Sequence, residues 1–222
     1  MDFLKILRSF EEFVFEATSW LIFYPLTMWR ILRRPLATMD YSDREQSDTD
    51  EKRYDDALSP PLVLLATIVL WNFIGIEAHV PDLEATSTAM KTLTASQQNL
   101  ILFRSLIFSL IPLIAAASLV HRQGKRLSRE TLRVPFYAQC YLAAPCVMVV
   151  SIGGIILQRA DIANLLGLAV MGIGATWFLV VQTLWFRNKL STSYAGAALI
   201  ALWATARALA VLLLVLLLLA IL

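Results

Sequence analysis

An all-α, polytopic membrane fold is the class this sequence predicts, and three observations predict it. Apolar residues make up 58% of the chain and charged residues 16%, against roughly 45–50% and 25% in soluble proteins. The apolar residues collect in runs long enough to cross a hydrocarbon core about 30 Å thick. Between two of those runs, 100–120 and 134–157, lies a short segment carrying five cations: Arg122, Lys125, Arg126, Arg129 and Arg133. Short loops rich in Lys and Arg stay cytoplasmic, so this segment sets the direction of both neighbouring spans.

Taken in order, residues 1–35 place Phe3, Leu4, Leu7, Phe10, Phe13, Val14 and Ala17 at helical spacing, with Lys5, Arg8, Glu12 and Glu16 on other faces. That pattern is an amphipathic helix. Its second half is aromatic and apolar, holds Pro25, and ends in Arg30, Arg33 and Arg34. Glu16 and the proline make a crossing costly, so the segment is expected to lie in the cytoplasmic interface, where Trp, Tyr and Arg are favoured. No cleavable signal peptide is expected, because charges interrupt the first apolar stretch.

Residues 36–60 form an acidic linker. Between positions 38 and 58 there are eight Asp or Glu against three Lys or Arg. With little apolar surface to bury, a solvated tether is expected, and the acid spacing matches no calcium loop.

The region 61–222 then divides into five spans, at 62–78, 100–120, 134–157, 165–186 and 194–222. Pro60 and Pro61 suit a first helical turn, whose N–H groups have no intrahelical partner. Pro112 is expected to bend the second span. Residues placed inside carry fifteen Lys or Arg, and those placed outside carry Lys91, Arg104 and Arg159 alone. That asymmetry fixes an internal N-terminus and an external C-terminus.

Motifs that carry chemistry are missing from the sequence. It contains no H-E-x-x-H, G-x-S-x-G or G-x-x-x-x-G-K-[ST], and His79 and His121 fall at opposite ends of spans. No enzymatic activity, metal or cofactor is therefore expected. Cys140 and Cys146, six residues apart on one helix, point to different faces and cannot pair. Gly172-Ile-Gly174 lies inside a span, where close helix packing is the expected role. Ala197, Ala201, Ala204, Thr205 and Ala208 form a small-residue stripe that admits another helix. The basic segment has no interleaved aromatic residues, so anionic lipid is the expected partner rather than nucleic acid.

Arg207 stands out as an intramembrane cation, about 20 Å along its helix. A charge at that depth needs a partner. Asn72 and Glu77 on the first span are the expected ones, at about 17 and 24 Å from Pro61.

Two further stretches carry a resemblance. Tyr54-Asp-Asp-Ala-Leu-Ser-Pro-Pro-Leu62 opens the first span, and Arg133-Val-Pro-Phe-Tyr-Ala-Gln-Cys-Tyr-Leu-Ala-Ala-Pro145 opens the third. With five spans, an internal N-terminal region and an external C-terminus, the arrangement resembles the Yip (Ypt-interacting protein) membrane family. Leu58-Ser-Pro-Pro61 stands where eukaryotic members carry D-L-Y-G-P, so the likeness is to bacterial relatives, often labelled permeases. The resemblance implies a non-enzymatic protein of the bacterial inner membrane that organises lipids or protein partners, with a small-solute permease or channel component as the alternative.

The topology is directly testable. Single cysteines at Ser128 and Ser191 are expected to react with an impermeant maleimide only from the cytoplasmic side, and those at Ser96 and Ala163 only from outside. External labelling of Ser128→Cys would reverse the orientation.

Overall fold

The computed structural model describes residues 3–46, 54–78, 87–159 and 164–221. His79, Ala163 and the linker stretch 47–53 lie outside these. Eight helices are present among the described residues: α1 (Phe3–Arg33), α2 (Pro35–Glu45), α3 (Pro60–Glu77), α4 (Thr88–Thr94), α5 (Gln97–Arg122), α6 (Arg129–Leu157), α7 (Asn164–Leu190) and α8 (Tyr194–Ile221). Five of them, α3, α5, α6, α7 and α8, are long and apolar enough to cross a membrane. They coincide with the five runs read from the sequence.

The α5–α6 turn defines what we call the basic end of the bundle. Helix α5 stops because Gly124 adopts φ +68°, a left-handed conformation that costs glycine little. The Gly124 and Lys125 N–H groups then return to the carbonyls of His121 and Val120, closing the last turn. Helix α6 starts on a capping box. Ser128 Oγ accepts from the Thr131 N–H at 3.1 Å, and Thr131 Oγ1 accepts from the Ser128 N–H at 2.9 Å. Arg129 and Arg133 thus belong to the first turns of α6 rather than to a loop.

Helix α6 is the central element. It packs against α3, α5, α7 and α2, while α8 lies against α5 and α7. Small residues make this possible: Ala138, Ala143, Ala144 and Gly153 are buried on α6. The α6–α7 contact is closest at glycines. A Cβ on Gly153 would fall 2.8 Å from the Gly167 carbonyl oxygen, and one on Gly167 would fall 2.8 Å from that of Gly153. Gly174 meets Val149 in the same seam, whereas Gly172 faces open space. Of the Gly172-Ile-Gly174 pair, only the second residue serves helix packing. Of the stripe expected on α8, Ala197, Ala201, Ala204 and Ala208 are buried and Thr205 is half-buried. Pro112 and Pro145 are buried inside continuous helices.

At the basic end the chain departs from the expected solvated tether. Residues 35–45 form α2, with Thr38, Met39 and Ser42 buried, and Ala57 and Leu58 are buried beyond it. Helix α2 packs on α6 and α7. Apolar content was underestimated because Met39, Tyr41, Tyr54, Ala57 and Leu58 are dispersed among acids, and those acids find cations on the bundle. Asp40 and Asp43 each lie 2.9 Å from Lys189 Nζ, and Asp56 lies 3.1 Å from Arg30.

Helix α1 is continuous through Pro25. Thr27, Met28 and Ile31 are buried, and Trp20, Phe23 and Tyr24 pack on the same cluster. Earlier in the helix, Phe10, Val14 and Phe15 are exposed. Tyr24 and Thr67 share a hydroxyl hydrogen bond at 3.1 Å, and the Leu58 N–H donates to Thr27 Oγ1 at 3.1 Å. These contacts tie the second half of α1 to the start of α3.

The glycine seam makes a quantitative prediction. Gly167→Ala inserts a methyl group between two backbones that cannot yield, and it is expected to cost about 1–3 kcal/mol. Gly172→Ala is expected to be neutral or slightly stabilising. Reversible unfolding of the full chain in mixed micelles measures both, and equal effects would refute the close α6–α7 approach.

Candidate polar sites of the bundle

Three polar constellations are built into the helices. The first surrounds Arg207. Its Nη2 donates to Ser118 Oγ at 2.6 Å, and Ser118 in turn donates to the Ile114 carbonyl at 2.6 Å. The two helices form a recess of about 300 Å³ lined by Ser118, His121, Arg122, Ile200, Trp203 and Arg207. The expected pairing of Arg207 with Asn72 or Glu77 is therefore corrected. Helix α8 packs on α5 and α7, whereas α3 packs mainly on α6, so α6 and α5 stand between them. The Cα position of Arg207 also overstates the depth of its charge. Helical side chains lean toward the N-terminus of their helix, which carries the Arg207 guanidinium back toward the basic end. Glu77 is exposed at the last turn of α3.

The second constellation was missed at the sequence level. Asn72, 3% exposed, accepts a hydrogen bond from Arg104 Nη1 and donates to Gln97 Oε1 at 3.2 Å. Charge distribution alone marks Arg104 only as an external cation. Its seven-residue spacing from Gln97 puts both on one face of α5, and that was the available signal. A cleft of about 460 Å³ opens beside them between α3, α5 and α6. It lies at the end of the bundle opposite the basic turn.

The third is the folded cap at the basic end. The Tyr41 hydroxyl donates to Asp56 Oδ1 at 2.7 Å. That bond, with the Arg30 guanidinium beside it, holds the Asp56 carboxyl below its ordinary range. Asp43 moves the opposite way. Burial raises its pKa despite the Lys189 ammonium at 2.9 Å, and its Oδ1 is buried without a hydrogen-bond partner. Burial also raises the Tyr41 phenol. Tyr54 joins the cap through hydrogen bonds with Ser42 at 3.2 Å and Gln46 at 2.8 Å, and its ring meets Tyr141 edge-on at 6.5 Å.

Of the predicted basic segment, Arg122, Lys125, Arg126, Arg129 and Arg133 are all exposed. Arg133 lies over the Tyr137 ring at 5.8 Å. Among the described residues no ion pair involves any of the five. Deep in the bundle, the amides of Gln139 on α6 and Gln182 on α7 are 1% and 0% exposed, and neither has a hydrogen-bond partner. No group of three His, Cys, Asp or Glu residues able to hold a metal occurs among the described residues. Cys140 and Cys146 are both free.

Comparison with known proteins returns no matching family model, no matching curated protein and no matching solved structure.

The cap is expected to respond to acid. A carboxyl whose pKa is depressed by folding stabilises the fold above its unfolded pKa, and that contribution is lost as pH falls through the folded value. Asp56 therefore works against acid loosening only while ionised, and Asp43, with its raised pKa, contributes with the opposite sign. Hydrogen exchange across residues 35–45 is expected to accelerate as pH drops below the ordinary Asp range near ~3.9, after correction for intrinsic rates. Asp56→Asn is expected to start looser at neutral pH and respond less. An unchanged pH response in that variant would remove Asp56 from the cap's stability.

Proposed function

We propose that this integral membrane protein is non-enzymatic and Yip-like, and that it gathers anionic lipids and protein partners at its basic end. In this reading the basic end faces the cytoplasm, and a bacterial inner membrane is the setting. The observation that carries it is the cation-rich rim: residues 121–130 are all exposed and set Arg122, Lys125, Arg126 and Arg129 against the single acid Glu130, and none of the four forms an ion pair among the described residues. A cation near an anionic leaflet gains about 1 kcal/mol. Toward the start of α1, Phe10, Val14 and Phe15 are exposed, an apolar flank suited to an interface. The recess around Arg207 adds a further cation next to Arg122.

The alternative, a small-solute permease, draws on the cleft beside Arg104. Passage would require opening the α3–α6 seam, where Val63, Leu64, Ile68, Tyr141 and Val147 are each 4% exposed or less.

Lipid selectivity in proteoliposomes tests the proposal. With spin-labelled lipids, the wild-type chain is expected to favour phosphatidylglycerol over phosphatidylcholine in its boundary shell. Replacing Arg122, Lys125, Arg126 and Arg129 by Gln is expected to remove most of that preference. Unchanged selectivity would overturn the reading, and solute efflux above that of protein-free vesicles would favour the permease.

A further inference from the structure

We propose that the cleft between α3, α5 and α6 is a phosphate-binding site, taking a phosphoryl group at the end of the bundle remote from the basic turn. Its chemistry is one-sided. Arg104 supplies a guanidinium, with one Nη donating to Asn72 and the other donors left for a ligand. Trp71 lines the same cleft, and its indole Nε1–H is buried without an acceptor. Indole and guanidinium are donors only. Ser151 adds a hydroxyl, and none of the described residues lining the cleft is acidic. A cleft holding a guanidinium, with an indole donor that lacks an acceptor in its wall and no carboxylate among its described lining residues, is complementary to a ligand that accepts. A neutral solute would leave the charge uncompensated, and a cation would be repelled. The planar guanidinium fork matches phosphate oxygens in pairs.

The guanidinium is also held in place. Gln97 accepts from the Asn72 amide at 3.2 Å, which turns the Asn72 carbonyl oxygen toward Arg104. This chain of hydrogen bonds orients the fork before any ligand arrives, which lowers the ordering cost of binding. Position favours a phosphate as well. Arg104 lies about 10 Å into α5, and its side chain leans back toward the N-terminus of that helix. Its head thus approaches the level of lipid phosphates rather than mid-bilayer. The mouth is polar, with Gln97 and Gln158 exposed at its edge. A volume of about 460 Å³ accommodates a phosphoryl group with part of its glycerol. Gly75 and Gly154 line the walls, and a Cβ on either would touch nothing within 4 Å. The space they leave is therefore open, not consumed by helix packing.

The phosphoryl group belongs either to an anionic phospholipid or to a free phosphate, and one set of measurements separates them. The full chain is purified in a non-ionic detergent. Its melting temperature is read against added inorganic phosphate, phosphatidylglycerol and phosphatidylcholine, and lipid retention is followed by native mass spectrometry. A shift with inorganic phosphate identifies a free-anion site. A shift with phosphatidylglycerol alone identifies the lipid. In either case Arg104→Gln is expected to weaken binding at least about tenfold, and Trp71→Phe by a smaller factor. Gly154→Leu adds bulk to the cleft from a position where a Cβ meets nothing within 4 Å, so it tests the site even if Arg104→Gln fails to fold. Replacing Arg122 and Lys125 by Gln is expected to leave this binding intact, which separates the site from the lipid contacts proposed for the basic end. The site is refuted if neither phosphate source shifts the melting temperature, or if Gly154→Leu binds as the wild type does.

Discussion

The bundle depends on how closely other helices approach α6. Within a bilayer, lipid tails are as apolar as the side chains, so burial of apolar surface alone gives helices little reason to associate. Association then rests on van der Waals contact, which demands small residues. Helix α6 answers that demand on several sides, with Ala138 and Leu142 facing the α7–α8 cluster and Ala143, Ala144 and Cys140 facing α1 and α3. Gly153 against Gly167 brings two backbones together. Because α6 contacts α2, α3, α5 and α7, widening this one seam would propagate to each of them.

Charges inside such a bundle obey a second constraint: each must reach a partner or an edge. Arg104 and Arg207 satisfy it in opposite directions. Both side chains lean toward the start of their own helix, but α5 and α8 run antiparallel with respect to the basic turn's position. Arg104 is thus directed to one end of the bundle, where Asn72 receives it. Arg207 is directed to the other, where Ser118 receives it. Neither needs a carboxylate, so neither forms a sealed ion pair, and each remains beside an open recess.

The cap shows how an acidic segment can fold when its charges are met by the surface it covers. Lys189 at the end of α7 takes both Asp40 and Asp43, and Arg30 on α1 takes Asp56. Isolated surface pairs contribute little; here they accompany buried Met39 and Leu58 and the hydroxyl bonds of Tyr41 and Tyr54. The pKa values of Asp43 and Asp56 shift in opposite directions because burial outweighs the lysine at Asp43, whereas Asp56 accepts a phenol at the surface.

The number, length and placement of the five long apolar helices were legible in the amino-acid sequence, because a membrane span is set by a local quantity: enough consecutive apolar residues to cross the hydrocarbon. The small stripe Ala197, Ala201, Ala204 and Ala208 was legible for the same reason, since helical periodicity alone puts those residues on one face. Partner choice was not. Whether Asn72 meets Arg207 or Arg104 depends on which helices are neighbours, and five spans of similar composition carry no local mark of adjacency. Nor could sequence distinguish Gly174, pressed against Val149, from Gly172, which faces nothing. The fold of the acidic segment was not legible because composition averages over a stretch, whereas burial of Met39, Ala57 and Leu58 depends on a surface supplied by α1, α3, α6 and α7, remote in sequence. Apolar length is a property of one segment and can be read from it; pairing, closeness and burial are properties of two, and only the packed tertiary structure decides them.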